Sequence, residues 1–227
     1  MGGKALALVL RRMRLGPETQ AIKVAMNNID ILIRGLDYAV NDYIRIARIN
    51  EHDTKPKEDQ IRCGLYRALS EADYLVRVEA AYSYSGSRCD ILARQADQPD
   101  IAIEVKTAWA GTGWANKPDE QAQNWLKDMV KLQELVRTTS LQSAYFILLL
   151  AFEEGAKASR KLHERIERIT GYRLYPSQTY EIGKWNGLNR LQYFLFDVLA
   201  KPDAVPVTPE YPVVAASTVL PPAPLAL

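Results

Sequence analysis

Cysteine and histidine are nearly missing from this 227-residue chain: Cys63, Cys89, His52 and His163 are all it has of either. Two cysteines cannot build a disulfide framework, and two scattered histidines do not make a zinc motif, so any reactive chemistry falls to carboxylates, amines and hydroxyls. A reducing, cytoplasmic setting is expected. An excess of one charge is also lacking, since 29 Lys and Arg face 27 Asp and Glu, for a net charge of +2. An anionic partner would have to be held by local basic patches rather than by the field of the whole molecule. Long apolar runs are absent as well. The longest, Ala144 to Phe152 (AYFILLLAF), is far short of the roughly 20 residues that cross a bilayer and reads as a buried strand. The opening MGGKALALVLRRMRLG has an apolar run too short and wrongly flanked for a signal peptide, so no membrane and no export are expected.

What is present, 48% hydrophobic and 25% charged residues, is the make-up of a globular protein. The pattern along the chain predicts an α/β fold in three parts: an N-terminal helical arm (1–50), a central domain (51–200) and a tail (201–227). In the arm, apolar residues recur at Ile22, Met26, Ile29, Ile33, Leu36, Val40, Tyr43 and Ala47, a seam along one long helix. Such a seam over 19–50 could serve a homodimer or pack the arm on its own domain; Leu32, Ile44 and Ile46 widen it beyond a narrow coiled-coil stripe and favour packing. Gly35 weakens the helix in its middle. The tail holds seven of the twelve prolines and few charges, and is expected to be extended or disordered.

The central part begins with a helix from about Glu58 to Ala72 and continues with strand-like runs over 75–83, 88–94 and 101–106. A loop with Trp109 and Trp114 comes next, then a helix over about 120–137, the apolar strand at 144–152, a basic helix and two late strands. The stretch DILARQADQPDIAIEVK, residues 90 to 106, carries the most specific chemistry. Strand side chains alternate faces. Folding the hairpin about Asp97 sets Ile91 against Ile103, Ala93 against Ile101 and Cys89 against Val105, one wholly apolar face. The same register puts Asp90 across from Glu104, with side-chain origins roughly 5 Å apart, and Lys106 one place further on. Facing carboxylates destabilise a ladder, so packing gives no reason for the pair. A hard divalent cation would remove the conflict: Mg²⁺, with Mn²⁺ as the alternative, takes oxygens such as those of Asp90, Glu104 and the Val105 carbonyl. Lys106 beside it would orient or help deprotonate a metal-activated water and stabilise charge on phosphorus. These are the elements of phosphodiester hydrolysis.

At these residues the chain resembles the PD-(D/E)XK nuclease superfamily, whose core is a helix, a three-strand meander, a helix and a strand, the order read here from Glu58 to Phe152. The resemblance implies a restriction-endonuclease-like fold, Asp90 and Glu104 as Mg²⁺ ligands and Lys106 as the catalytic lysine. It also implies an acid on the preceding helix, for which Glu58 is best placed, and a glutamine on the following helix, Gln121 or Gln123. Cys89 stands where the family name has proline. The literal Pro99-Asp100 lies on the same strand as Glu104, four residues away or about 13 Å, too far to share an ion. Glu79 on the first strand is a second choice of acid. For nucleic acid, more readily DNA than RNA, Trp109 and Trp114 could stack on bases, and Lys157, Lys161, Arg165 and Arg168 form a helical stripe suited to phosphates. The expectation is a Mg²⁺-dependent nuclease. Its rival is a nucleic-acid-binding or assembly protein that keeps the fold without turnover.

Overall fold

The computed structural model describes residues 17–49, 57–81, 88–96, 98–110, 117–139, 141–169, 172–175, 177–185 and 188–199. Its elements run α1 (Pro17–Ile49), α2 (Glu58–Glu71), β1 (Leu75–Ala81), β2 (Arg88–Gln95), β3 (Gln98–Ala110), α3 (Pro118–Thr138), β4 (Ser143–Phe152), α4 (Lys157–Glu167), β5 (Arg173–Tyr175), β6 (Thr179–Trp185) and β7 (Leu188–Asp197). The chain is therefore mixed α/β. The expected order of helix, three-strand meander, helix and strand is present as α2, β1–β3, α3 and β4. One seven-stranded sheet has the order β1-β2-β3-β4-β7-β5, and β6 pairs with β7 as well. Among the described strands only the β3–β4 pair is parallel, because α3 carries the chain back across the sheet between them.

Strand alternation sorts the core into two layers. Odd-numbered residues of the central strands, such as Ile91, Ile101, Ile103, Val105, Ile147 and Leu149, pack with α1 and α2. Even-numbered ones, such as Leu92, Ala102, Phe146, Leu148 and Leu150, pack with α3 and α4. Both faces being covered explains why AYFILLLAF is apolar without interruption, since every residue of β4 after Ser143 is buried.

The N-terminal helix is part of this core. Leu32, Leu36, Ala39, Val40 and Tyr43 are buried with Ile61, Leu65, Ala68 and Leu69 of α2, and burying each large apolar side chain contributes about 1.5–3 kcal/mol. Between Ile29 and Tyr43 the seam is therefore largely filled by the chain itself. Where α1 and α2 cross, Gly35 meets Gly64: a Cβ built on Gly64 would fall 2.3 Å from the Gly35 carbonyl oxygen. What reads in sequence as a weak point in α1 is the contact that lets the helices close. The α2 helix ends where Asp73 takes a positive φ of 62° and Tyr74 N–H donates to the Leu69 carbonyl.

Two sequence expectations need correction. β3 does not stop at Lys106 but continues to Ala110, paired in parallel with β4 through Ala110↔Phe152, so Trp109 lies on a strand rather than in a loop. Cys89 does not pack with Ile91 and Val105; it belongs to the opposite layer with Ala80 and Leu92. The tail, 201–227, lies outside the described residues.

Candidate active site

The hairpin register is the one the sequence dictates: Ile91 faces Ile103, Leu92 faces Ala102 and Ala93 faces Ile101. The paired ladder ends at Ile91. On the other side, the β1–β2 ladder pairs Val78 with Ile91 and Ala80 with Cys89 but skips Glu79 and Asp90, and Glu79 has a positive φ of 51°. This interruption turns the strand about Asp90, which is why Cys89 changes face. Freed from the ladder, the Asp90 carboxylate accepts the Val105 N–H at 2.6 Å, taking the place of a strand partner. Asp90 and Glu104 are 7% and 6% exposed, two of the four buried polar or charged residues among those described. Burial of carboxylates at this level requires partners.

For Asp90 the partner is Arg62, a residue the sequence reading passed over. Its guanidinium lies 3.0 Å from Asp90, 2.8 Å from Glu79, 3.1 Å from Asp59 and 3.4 Å from Glu58. The expected acid Glu58 and the second choice Glu79 are thus both joined to Asp90 through one cation. Arg62 follows Glu58 by four residues, so the two share a helix face. That spacing was the signal available for it, but nothing local says that β1 and β2 will bring two more acids to the same group.

Glu104 and Lys106 form the other half. The Lys106 ammonium donates to Glu104 at 2.7 Å and lies 3.9 Å from Asp128 of α3. Burial pushes the Glu104 carboxyl above the usual range; the Lys106 hydrogen bond pulls it back, the Asp90 charge raises it further, and the net direction is up. Burial pulls the Lys106 ammonium down, but the hydrogen bond it donates to Glu104 and the charges of Glu104, Glu58 and Asp90 outweigh this, so its pKa lies above the ordinary lysine value. Asp90, Glu58, Glu104 and Lys106 therefore sense one another electrostatically. Asp128 is the second residue the sequence reading missed.

The remaining candidates separate. Gln121 lies seven residues before Asp128, two helical turns along the same side of α3, and its Oε1 is buried with no hydrogen-bond partner. Gln123 is exposed. Trp109 packs at the edge of the α1–α2 layer, and Trp114 lies outside the described residues. On α4, Lys157, Lys161 and Arg168 are exposed, whereas Arg165 is tied to Asp119 at 2.6 Å. Ser159 of α4 donates to the Ala110 carbonyl, four residues along β3 from Lys106 or about 13 Å at the rise of a strand. Asp100 is paired with Arg94 at 2.9 Å, away from the acids.

Among the described residues, no group of three or more His, Cys, Asp and Glu is arranged to hold a metal ion. The physical reason is that Asp90 is turned to Arg62 and Glu104 to Lys106. The donor chemistry nevertheless suits a hard cation. Asp90 and Glu104 are buried carboxylates on neighbouring strands. The Val105 carbonyl leaves its strand on the same side as the N–H that Asp90 accepts, toward the point where the β2–β3 ladder has no pair. Four carboxylates around one guanidinium also leave negative charge to spare. No family model, curated protein or solved structure matches this chain.

Proposed function

We propose that the chain is a divalent-metal-dependent nuclease with a restriction-endonuclease-like core, hydrolysing phosphodiester bonds, with DNA favoured over RNA as its substrate. The observation that carries this reading is the grouping of Asp90, Glu104 and Lys106 at the interrupted end of the hairpin, with Glu58 and Glu79 drawn in by Arg62. The order α2, β1–β3, α3, β4 supports the same core.

In this reading Asp90, Glu104 and the Val105 carbonyl would hold Mg²⁺ or Mn²⁺. When bound, such an ion supplies Lewis acidity toward water and neutralises phosphate charge. Lys106, on the same strand as Glu104, orients the attacking water and donates to the charge that grows on the phosphate oxygens. Water oxygen bonds to phosphorus as the phosphorus–oxygen bond to the leaving nucleotide breaks, the water's proton passing to solvent and the leaving oxygen taking one from solvent, with no covalent enzyme intermediate. Asp128 keeps Lys106 in place when Glu104 serves elsewhere. The exposed cations of α4 sit on the α3 side of the sheet, where they can take backbone phosphates beyond the scissile one.

One observation favours a second reading. Arg62 and Lys106 already compensate the buried acids, which is what a nucleic-acid-binding or assembly protein that has given up turnover would need. Incubation of the full chain with single-stranded, duplex and branched DNA and with RNA separates the two. Cleavage of at least one substrate with Mg²⁺ or Mn²⁺, abolished by chelator, is expected. Binding without cleavage under every condition would leave the second reading in its place.

A further inference from the structure

Arg62 stands where an incoming cation would have to act. Both oxygens of Asp90 are engaged, Oδ1 by the Arg62 guanidinium at 3.0 Å and Oδ2 by the Val105 N–H at 2.6 Å. A dication at coordination distance from Oδ1 would lie within a few ångströms of a second positive charge, in a site where solvent screens little because Asp90 is buried. The two cannot share that oxygen at full strength.

We infer that Arg62 is a resident counter-cation that gates the site: it holds the acid cluster together without metal and must let go of Asp90 for a divalent ion to load. The inference rests on the reading above that these acids take such an ion. Three features favour release over permanent locking. The guanidinium has other carboxylates to fall back on, since Glu58, Asp59 and Glu79 remain within 3.4 Å when Asp90 is surrendered. Two of these, Asp59 and Glu79, have side chains 80% and 53% exposed, so the fallback partners lie on the solvent side of the buried acid. The Arg62 Nε is buried with no hydrogen-bond partner, so the closed position leaves one of its donors unsatisfied.

The backbone contributes to the device. Glu79 is not glycine yet adopts a left-handed φ of 51°, a conformation that L side chains rarely take. The same break in β1 puts its carboxylate on Arg62 instead of in register with Asp90. In this account the irregularity is what supplies the guanidinium with a partner away from the metal position.

The test is Mn²⁺ binding to the full chain, measured by calorimetry, for wild type, Arg62→Gln and Arg62→Lys. Removing the competitor should tighten Mn²⁺ binding by about tenfold or more in Arg62→Gln, with an intermediate gain in Arg62→Lys, whose single ammonium cannot span the acids. In chelator Arg62→Gln should melt below wild type. A folded Arg62→Gln that binds Mn²⁺ no more tightly than wild type overturns the gate while leaving the metal reading in place. No Mn²⁺ binding by any of the three overturns both. Should Arg62→Gln not fold, the wild-type spectrum decides: the Arg62 Nε–H resonance, assigned by its absence in Arg62→Lys, should move on saturation with Mg²⁺. A resonance that stays put while metal binds also overturns the gate.

Discussion

Lys106 has two carboxylates in reach and hydrogen-bonds to only one of them, Glu104 at 2.7 Å, with Asp128 at 3.9 Å. If Glu104 turns to a cation during turnover, Asp128 becomes the ammonium's only anchor of the two. Asp128→Asn should therefore slow single-turnover cleavage by about tenfold, the scale of a lost orienting contact, while nucleic-acid affinity stays within a few-fold. Equal rates for variant and wild type would show that Asp128 does not position the lysine. The contrast between Asp90 and Arg62 shows what is legible at this scale. Period-two alternation about a turn gives the pairing of Ile91 with Ile103 and of Ala93 with Ile101 and sets Lys106 beside Glu104, because a hairpin's register is a local property, but it does not report the break in the ladder that turns the Asp90 carboxylate toward Arg62. Arg62 and Asp128 reach the same point from two different helices. Their arrival depends on how α2 and α3 dock on the sheet, and no periodicity in either helix reports that.

At the scale of elements, the α1–α2 crossing is where packing is least forgiving. A methyl group on Gly64 would meet the Gly35 carbonyl and the backbone nitrogen of Ala39, neither of which can swing aside as a side-chain tip can. Gly64→Ala gains helix propensity, about 0.8–1.0 kcal/mol, but forces the helices apart, and overpacking of this kind costs about 1–3 kcal/mol. A lower melting temperature is the expected outcome. A variant as stable as wild type, measured by thermal or denaturant unfolding, would mean that the helices do not approach so closely. Helix and strand positions were largely readable, with α2, β2, α3, β4 and α4 falling close to their expected bounds. The miss has a physical cause. The end of β3 was read as loop because WAGTGW is rich in turn formers, yet parallel pairing with β4 holds the strand through Ala110. The widened seam of α1 favours packing on its own domain, and the buried contacts of Leu32, Leu36, Val40 and Tyr43 with α2 agree with that reading.

For the molecule as a whole, the two covered faces of the sheet bury tyrosines along with aliphatic side chains. Burial pushes the phenols of Tyr43, Tyr145 and Tyr180 well above their usual value, Tyr180 also through its hydrogen bond to Asp37. Because the folded-state value is raised, this contribution is intact below the unfolded tyrosine pKa of about 10 and is lost as pH climbs above it. In an alkaline titration part of the phenolate absorbance should appear only together with loss of far-ultraviolet circular dichroism. Full ionisation of all twelve tyrosines with the fold intact would contradict the buried placement. Among the described residues no helix is long and apolar enough to cross a bilayer. The fold supplies a rigid frame in which the sheet holds Asp90, Glu104 and Lys106 while α2 and α3 bring their neighbours. In the proposed function this group cuts phosphodiester bonds with the help of a divalent ion. Single-turnover cleavage of the best substrate by wild type, Lys106→Ala and Asp90→Asn in Mg²⁺, with binding measured alongside, tests it most directly. The expected result is a rate loss of about a hundredfold or more in each variant, with affinity for Lys106→Ala within a few-fold of wild type and no cleavage in chelator. Cleavage by Lys106→Ala at the wild-type rate, or cleavage indifferent to chelator, would contradict it.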